Sequence, residues 1–369
     1  MADFTLDEDQ RQIQDMARKF ASNELRPIAR QCDEEAVAPP ELLDKVWELG
    51  FCANAIPEQY GGYELGRSAL MSAIMVEELA WGDVGLTVAA LSPLLMMIPI
   101  LEFGTDEQKK EWLPKFCGER FFPATAAIME PRIAFDPLEL GTTVETQGDN
   151  VVINGKKCMV PMADQAEHIL VYASSKSGDA SESVKAIIVD RNTPGLTVGP
   201  KEKNLGLNAL PLFPVTFEQC VVPASRCVGC DQGLDYMRLL NLSRANLSAM
   251  AVGVARASHE YALAYAKERF AFGEPIACRQ SIAFMLAESA MEIDGMRLLA
   301  WRAAWRLDRN EDATKDAGIA KMYCSEQAMK VTDYGVQILG GHGYIREHPV
   351  EMWLRNGRSF SITEGLAIG

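Results

Sequence analysis

The residues whose types and spacing suggest chemistry are few and scattered. Cys227-Val-Gly-Cys230 is a CxxC pair, but it has no second pair or nearby histidines for a structural zinc site. A thioredoxin-like redox pair needs a strand–helix setting, whereas a predicted strand here runs into a loop. The four histidines show no ligand spacing, and no HExxH, GxSxG or phosphate-binding loop occurs. We therefore expect no metal site and interpret the CxxC pair as a coincidence.

Three other positions allow both a structural and a functional interpretation. Gly340-Gly-His-Gly-Tyr344 follows a predicted helix, which excludes a Rossmann fingerprint. It is either a helix C-cap or a close approach of the backbone to a ligand phosphate or ring. Arg269 ends a predicted helix, either as a solvated cap or as a clamp for a pyrophosphate. Glu364 is a lone carboxylate, which in most proteins is surface charge. Local motifs leave these alternatives open.

Length, composition and charge narrow the class of protein. The chain has 369 residues, with 36 Lys and Arg against 51 Asp and Glu, a net charge of −15 and 48% hydrophobic residues. These values exclude a disordered chain and indicate two or three subdomains. The acidity argues against binding to nucleic acid or to an anionic membrane surface. A polar, acidic N-terminus and nine scattered cysteines favour a cytoplasmic protein.

The hydrophobic pattern changes twice along the chain. Helical spacing predicts helices over residues 6–29, 41–50, 68–81 and 87–103, and again over 234–267, 280–310 and 314–339. Between them lie short β-rich runs, with a hairpin predicted at Asn154-Gly155 and a polar loop from Ser175 to Ser183. We expect an α-helical domain at 1–120, a β domain at 121–229 and an α-helical bundle at 230–369. The two helical regions should share one core.

In this order, the elements and motifs resemble the acyl-CoA dehydrogenase family along essentially the whole chain. The resemblance is carried by Phe103-Gly-Thr-Asp-Glu-Gln-Lys109, Glu130-Pro131, Asn154-Gly-Lys-Lys157, Glu268-Arg-Phe-Ala-Phe-Gly-Glu-Pro275, Gln280-Ser-Ile-Ala-Phe-Met-Leu-Ala-Glu288, Gln337-Ile-Leu-Gly-Gly-His-Gly-Tyr344 and Thr363-Glu-Gly365. It implies an α+β fold with an N-terminal helical bundle, a central small β-barrel or sandwich and a C-terminal four-helix bundle. Each match is weak alone, but together in register they are specific.

The resemblance also implies an activity and its partners. Such enzymes oxidise an acyl-CoA thioester to the 2-enoyl-CoA, with FAD as hydride acceptor, and pass the electrons to electron-transferring flavoprotein. They are usually tetramers, often homotetramers, and a neighbouring subunit supplies part of each flavin site. The predicted helix at 68–81 and the segment at 84–95 would line the acyl pocket. Both are apolar and poor in charge, which favours an apolar, branched or cyclic acyl group. Thr87, near the position where glutaryl-specific relatives place an arginine, does not favour glutaryl-CoA.

Site residues are carried over from the family motifs one by one. Glu364 is implied as the base for the α-proton, because Ser243 stands where some members place a glutamate on an earlier helix. The substrate side is implied for Asn241, Arg244, Phe135 and Gly365. The cofactor side is implied for Arg269 and Gln280 near the flavin pyrophosphate, for Gln337, Gly340 and Gly341 near the adenosine, and also for Phe272.

The departures from the family pattern cluster on the flavin. Met129, Phe135, Met159 and Pro161 replace polar or aromatic residues that usually contact the flavin or the substrate. Pro161 also lacks a backbone N–H. Three interpretations remain: a dehydrogenase with a retuned flavin, a flavin-poor subunit of a heteromeric dehydrogenase, and a non-redox relative that binds acyl-CoA. The retained Glu364 argues against a scaffold, since a subunit without chemistry does not need the base.

Overall fold

The computed structural model describes residues 5–175 and 183–368, so most of the polar loop predicted between Ser175 and Ser183 lies outside the described residues. The N-terminal region is helical. Its helices are α1 (Glu8–Phe20), α2 (Ala29–Glu35), α3 (Pro40–Glu48), α4 (Phe51–Ala55), α5 (Ala69–Gly82), α6 (Val84–Leu91), α7 (Leu94–Phe103) and α8 (Asp106–Trp112). Helix α8 begins with the capping box formed by Thr105 and Gln108.

Two helices predicted as continuous are interrupted at prolines. The first ends at Phe20 and continues as a π-helical turn over Ala21–Leu25, just before Pro27, which has no N–H to extend a helix. The second is broken at Ser92-Pro93 into α6 and α7, which are bent by 46° to each other. Among the described residues, no single helix has the length and hydropathy of a membrane span, although α6 and α7 together would pass by length and composition.

Asp83 caps the N-terminus of α6 from a fully buried position. Its carboxylate accepts a hydrogen bond of 2.8 Å from the N–H of Leu86. Burial raises the pKa of Asp83 to about 6, and the N–H groups only partly offset it. Between about pH 4 and this value the folded protein therefore binds more protons than the unfolded chain, and the contribution of Asp83 to stability falls as the pH rises.

Replacing Asp83 by Asn is expected to stabilise the protein at neutral pH. Asparagine caps helices as well as aspartate does, but it carries no charge to bury. We expect the free energy of unfolding at pH 7.5 to rise by about 1–3 kcal/mol, with the gain shrinking towards pH 4. Denaturant unfolding of the wild type and the variant between pH 4 and pH 7.5 measures the difference in the free energy of unfolding. A variant that is less stable than the wild type at pH 7.5 would contradict the assignment.

The middle region forms one seven-stranded sheet. Its strands are β1 (Ala124–Ala127), β2 (Thr143–Gln147), β3 (Asn150–Pro161), β4 (His168–Ser174), β5 (Val184–Asp190), β6 (Leu196–Val198) and β7 (Leu212–Pro223). Their order is β1-β4-β2-β3-β7-β6, with β5 paired to β4. The long strands β3 and β7 pair antiparallel from Asn150 and Pro223 to Pro161 and Leu212. The end of β1 and the second half of β3 lead to the candidate site.

The hairpin predicted at Asn154-Gly155 is wrong. Strand β3 runs through these residues, and the turn lies instead at Gly148-Asp149, between the paired residues Gln147 and Asn150. The Asn-Gly pair forms a bulge in the pairing with β7. A Cβ on Gly155 would come within 2.6 Å of the Thr142 backbone and hydroxyl, so this glycine permits close packing of the backbone and does not mark a turn.

The C-terminal region returns to helices. Its elements are α9 (Tyr236–Glu268), β8 (Phe270–Ala271), β9 (Glu274–Pro275), α10 (Gln280–Asp308), α11 (Thr314–Leu339), α12 (Gly341–Tyr344) and α13 (Val350–Ser359). Helix α9 packs against α5, α10 and α11. A Cβ on Gly253 would lie 2.2 Å from the carbonyl oxygen of Glu77, so this glycine lets α9 approach α5 closely. One hydrophobic cluster joins both helical regions, which confirms the predicted common core.

Candidate active site

Glu364 lies where the C-terminal and middle regions meet. It follows α13 on a short segment, residues 360–365, and only 18% of its side chain is exposed. Its backbone N–H points to the Met129 sulfur at 3.4 Å, just past the end of β1. Its Oε1 lies 3.5 Å from the Arg244 Nε on α9. The structure thus brings together three residues that sequence reasoning assigned to the site, from three separate parts of the chain.

Several buried polar atoms of Glu364 and of the α9 segment that carries Arg244 have no hydrogen-bond partner. They include Glu364 Oε2, Arg244 Nε, Ser243 Oγ and Asn241 Oδ1. Leaving such atoms unpaired costs about 1–3 kcal/mol each, so buried polar groups are nearly always satisfied by protein, water or ligand. A thioester carbonyl could accept hydrogen bonds from Arg244 Nε and the Ser243 hydroxyl, whereas the oxygens of Glu364 and Asn241 would need a donor.

Asn241 is anchored on one side and faces a cleft on the other. Its Nδ2 donates to the Thr314 hydroxyl at 3.1 Å, which joins α9 to the start of α11. Asn241 and Thr314 line a cavity of about 330 Å³, together with Arg238 and three carboxylates, Asp235, Glu311 and Asp312. The predicted substrate residue Asn241 therefore borders an open, polar cavity.

The backbone at Gly365 turns in a way that suits only glycine. Its φ of +68° is in the left-handed region. A Cβ here would lie 2.4 Å from the Cδ1 of Ile128. The chain beyond it, Leu366 to Ile368, is buried against the core. This turn fixes Glu364 beside the end of β1.

A buried ion pair supports the Met129 side of the site. Lys157 is fully buried on β3, and its Nζ donates to Glu130 Oε1 at 3.0 Å and to the Ile128 carbonyl at 2.9 Å. Glu130 also accepts from the N–H groups of Gly141 and Thr142 at 2.7 and 2.8 Å. Burial acts to raise the pKa of Glu130, but the Lys157 ammonium and the two N–H groups outweigh it and hold the pKa below its usual value.

Met159 and Pro161 offer little polar backbone to a ligand. The N–H of Met159 donates to Glu202 Oε1 at 3.0 Å, and Met159 adopts a φ of +52°. Pro161 is buried and paired with Leu212 at the end of β3. Sequence reasoning found both substitutions but missed Glu202, which is 43 residues from Met159 in sequence, with strands β4, β5 and β6 between them.

Phe135 lies on a loop that is tied to α9. The hydroxyl of the buried Tyr236 donates to the Pro137 carbonyl at 3.0 Å. Burial, together with the nearby Glu364 carboxylate, raises the pKa of Tyr236. Phe135 itself is half-buried, with the Arg132 guanidinium 5.7 Å from its ring. The predicted substrate residue is therefore held near the site through its loop.

The remaining predicted cofactor residues lie apart from Glu364, on exposed parts of the C-terminal region. Arg269 is the C-cap of α9, Phe272 forms the tip of the β8–β9 hairpin with 93% of its surface exposed, and Gln280 begins α10. Gln337, Gly340 and Gly341 are exposed at the end of α11. Within residues 5–175 and 183–368, no hydrogen bond or ion pair joins this exposed group to Glu364, Met129 or Met159.

A tyrosine–histidine cluster beside the glycine turn escaped sequence reasoning. Tyr265 and Tyr261, four residues apart on α9, pair with Nδ1 of His342 and His348, each at 2.8 Å. The two imidazole rings stack with centroids 5.3 Å apart. The i, i+4 spacing of the tyrosines was the available signal, since it places both on one helix face. The cluster ties the turn at Gly340 to α9.

Comparison with family models covers nearly the whole chain. Residues 7–120 match the acyl-CoA dehydrogenase N-terminal domain, residues 125–220 the middle domain, and residues 231–367 the C-terminal domain. The chain is 34% identical over 365 residues to the mitochondrial short-chain specific acyl-CoA dehydrogenase of Rattus norvegicus, covering 98% of this chain and 87% of the relative.

Solved structures give the same result. Butyryl-CoA dehydrogenase from Megasphaera elsdenii superposes with a TM-score of 0.89 at 31% identity, covering 98% of this chain and 95% of that one. PigA, solved as its FAD complex, also gives 0.89, at 28% identity and with the same coverage. The three domain matches and these likenesses agree with the α–β–α order of the chain. The chain belongs to the acyl-CoA dehydrogenase family, oxidoreductases that act on CH–CH groups.

Proposed function

We propose that this enzyme removes the α-proton and the β-hydride of an acyl-CoA thioester to form the 2-enoyl-CoA, with Glu364 as base and FAD as electron acceptor. The observation that carries the proposal is the Glu364 carboxylate, which is mostly buried, 3.5 Å from Arg244 and beside Met129. It lies between the two regions that the family places around its flavin. Electron-transferring flavoprotein is the acceptor that the resemblance implies.

Glu364 has the surroundings of a base for carbon acids. The α-proton of a thioester is too weakly acidic for water to remove at neutral pH, so a positioned carboxylate is required. The Arg244 guanidinium, 3.5 Å from the Glu364 carboxylate, would stabilise charge that develops on the thioester oxygen. When the α-proton moves to a carboxylate oxygen of Glu364, the electron pair left on Cα forms the double bond as the β-hydride leaves. FAD supplies the two-electron acceptor for that hydride.

The residues present fit FAD in two separate groups. Met129, Met159 and Pro161 would contact the ring system through apolar surface. Arg269 is exposed and makes no ion pair within the described ranges 5–175 and 183–368, so its guanidinium is free to bind a pyrophosphate. Since no hydrogen bond or ion pair joins these two groups within residues 5–175 and 183–368, we infer that a second copy completes each flavin site.

The apolar segments favour an apolar acyl group. Residues 84–101 include neither a carboxylate nor a cation, and the next residue, Glu102, is already paired with Arg67 and Arg238. The Thr87 hydroxyl donates to the Asp83 carbonyl at 2.7 Å and is not available to a substrate carboxylate. Burying the charge of a dicarboxylyl chain here would be costly without a cation. We therefore propose an apolar, branched or cyclic acyl group.

Oxidation of a panel of thioesters tests the proposal. Purified protein is supplied with FAD and a dye as electron acceptor. It is then incubated separately with butyryl-, isobutyryl-, cyclohexanecarbonyl- and glutaryl-CoA, and the masses of the products are measured by mass spectrometry. We expect one or more of the apolar thioesters to lose two hydrogens and glutaryl-CoA to remain unchanged. If no thioester in a panel extended to longer chains is oxidised, the proposed activity is wrong. If only glutaryl-CoA reacts, the proposed acyl class is wrong.

A stripe of exposed apolar residues supports assembly into a homotetramer. Phe284, Met291 and Leu298 recur every seven residues on α10 and are 58%, 67% and 49% exposed. Met322 on α11 is 62% exposed. Large apolar side chains on one helix face are typical of an interface between subunits.

Replacing Met291 by Glu is expected to dissociate the assembly, because it places a charge where apolar surface is buried between copies. Light scattering coupled to gel filtration should show a smaller species, with FAD content per chain reduced as the shared flavin sites are lost. Met291→Leu, which keeps the surface apolar, should leave the assembly unchanged. A Met291→Glu protein with the wild-type mass and FAD content would contradict this interface.

A heteromer with a second family member is the alternative that a specific observation favours. Pro161 offers no N–H, and the Met159 N–H is already bonded to Glu202, so neither backbone group is free for a flavin. Protein purified alone, then mixed with FAD, distinguishes the two assemblies. One FAD per chain favours the homomer, whereas flavin bound only after a second family member is added favours the heteromer.

A further inference from the structure

A cavity of about 590 Å³ lies in the N-terminal region, between the first halves of α1 and α5. The rest of its wall comes from α4, from the loop at residues 65–68 and from α7. Most of the lining is apolar, and its larger side chains are Met16, Phe51, Met71, Met75, Leu94 and Ile98. Glu364, Arg244 and Asn241 are not among the residues that line it, so the cavity is separate from the candidate active site.

The cavity lies where α1 and α5 separate. At their other ends the two helices touch, because a Cβ on Gly82 would lie 2.8 Å from the Cβ of Leu25, just after α1. The start of α5 is held from another direction. The Ser68 hydroxyl and the N–H of Leu70 donate to the Asp308 carboxylate at 2.7 and 3.1 Å. These contacts fix the walls without filling the space, so the cavity is formed before any ligand binds.

A gap in the packing would explain part of this arrangement, since purely apolar cavities can stay empty. Such gaps are usually small and closed, because protein interiors pack densely. This cavity falls instead within the range of about 300–1,000 Å³ that is typical of small-molecule sites. It also opens to solvent, because Leu65 at its edge is 72% exposed.

Ser72 gives the cavity a buried polar group that has no partner. Only 8% of this residue is exposed, and its hydroxyl makes no hydrogen bond among the described residues. The buried helical serines Ser248 and Ser289 donate to the carbonyl four residues earlier, both at 2.7 Å. Ser72 lies in α5 and lines the cavity but does not make this bond. Because an unpaired buried hydroxyl is unfavourable, a ligand with a hydrogen-bonding group would be favoured here.

The charges at the cavity favour a neutral ligand. Among the described residues that line it, Arg67 is the only cation, and it is already paired with Glu102. Glu102 is held in turn by Arg238 at 2.9 Å. Asp9, also in the lining, is an exposed carboxylate that would repel an anion. A buried carboxylate or phosphate of a ligand would therefore lack a cation to balance it.

We propose that this cavity binds a neutral, mainly apolar small molecule with a single hydroxyl or carbonyl group, which forms a hydrogen bond with Ser72. The flexible methionine side chains suit such a ligand, because they adapt to irregular apolar shapes. This site goes beyond the proposed dehydrogenation and does not depend on it, since none of the residues assigned to that reaction takes part.

Displacement of the neutral fluorescent probe N-phenyl-1-naphthylamine from the FAD-supplied protein tests the proposal. The emission of this probe rises when it enters an apolar site. We expect 1-octanol to displace it saturably, and octanoate, which has the same chain length but a negative charge, to bind more weakly by about 10-fold or more. Because α5 and Leu94 also belong to the segments expected to line the acyl pocket, butyryl-CoA is a second competitor. It should leave the probe bound.

Two variants locate the site. Met75→Trp fills the cavity and should weaken binding of 1-octanol by about 10-fold or more. Ser72→Ala removes only the hydroxyl and should weaken it by about 3- to 10-fold. Ser289→Ala is the matched control, because it removes a buried helical hydroxyl elsewhere and should bind 1-octanol as the wild type does.

Four results would overturn the proposal: no saturable binding of the probe or 1-octanol, displacement of the probe by butyryl-CoA, octanoate binding as tightly as 1-octanol, or unchanged affinity for 1-octanol in Ser72→Ala or Met75→Trp. If Met75→Trp folds poorly, Ser72→Ala decides. Binding is measured without thioester oxidation, so a failure of the proposed function would leave this result intact.

Discussion

Glu364→Gln is expected to abolish oxidation of the acyl-CoA while leaving its binding intact. Glutamine has nearly the shape of glutamate but cannot accept the α-proton. General bases of this kind contribute about 100- to 10,000-fold to the rate, so kcat should fall by at least that range. The 3.5 Å contact with Arg244 would lose its charge, but Arg244 remains to face the thioester. Stopped-flow reduction of the flavin and a thioester binding titration measure the two effects separately.

Glu326→Gln is the matched control for this substitution. Glu326 is an exposed carboxylate on α11, so its neutralisation should change neither rate nor binding. A Glu364→Gln enzyme that reduces its flavin at the wild-type rate would show that another group removes the proton. Ser243, at the alternative position on α9, cannot replace it as a carboxylate base, so such a result would require a residue outside the family pattern.

Lys157→Met is expected to cause the largest loss of stability. Methionine nearly matches the lysine stem in volume, but it leaves the Glu130 carboxylate buried with two N–H donors and no cation. Breaking one side of a buried ion pair costs about 3–5 kcal/mol. The bond to the Ile128 carbonyl is lost as well, which loosens the end of β1 next to Met129. Denaturant unfolding at fixed protein concentration measures the change.

The double variant Glu130→Gln with Lys157→Met separates charge from packing. With neither charge buried, it should recover part of the stability lost in Lys157→Met. We also expect weaker flavin binding in Lys157→Met. Met129 precedes Glu130 and Met159 follows Lys157 by two residues, so loss of the ion pair should loosen the two chain segments that carry these methionines. A single variant within about 1 kcal/mol of the wild type, or a double variant less stable than the single one, would contradict this account of the pair.

Most helices of this chain could be predicted because hydrophobic spacing and capping residues lie within or next to the helix that they indicate. Helix α11 runs from Thr314 to Leu339 as expected, and the capping box at Thr105 and Gln108 forms as expected. The hairpin prediction failed because a residue pair typical of turns serves tertiary packing in this fold. Asn154-Gly155 is a strong hairpin pattern, yet it became a bulge because Gly155 packs against Thr142. The pattern cannot distinguish these two uses of glycine.

The candidate site was predictable only as far as the resemblance extends. Glu364 and Met129 are separated by 235 residues in sequence, and no local rule joins them. Glu202 and the Tyr261–His348 pair act through such distant contacts, so the sequence showed them as ordinary charged or aromatic residues. The predicted domain limits and the roles of the exposed cofactor residues remain predictions.

Anaerobic titration of the purified protein with thioesters, followed in the visible spectrum, tests the central claim most directly. The account predicts an oxidised flavin band corresponding to about one FAD per chain. In the absence of any acceptor, one apolar acyl-CoA should bleach this band in the wild type. The Glu364→Gln protein should keep its oxidised flavin band when the same thioester is added. A protein that stays colourless after FAD is supplied, or whose flavin no thioester reduces, would contradict the claim that this chain is itself a flavin-dependent dehydrogenase.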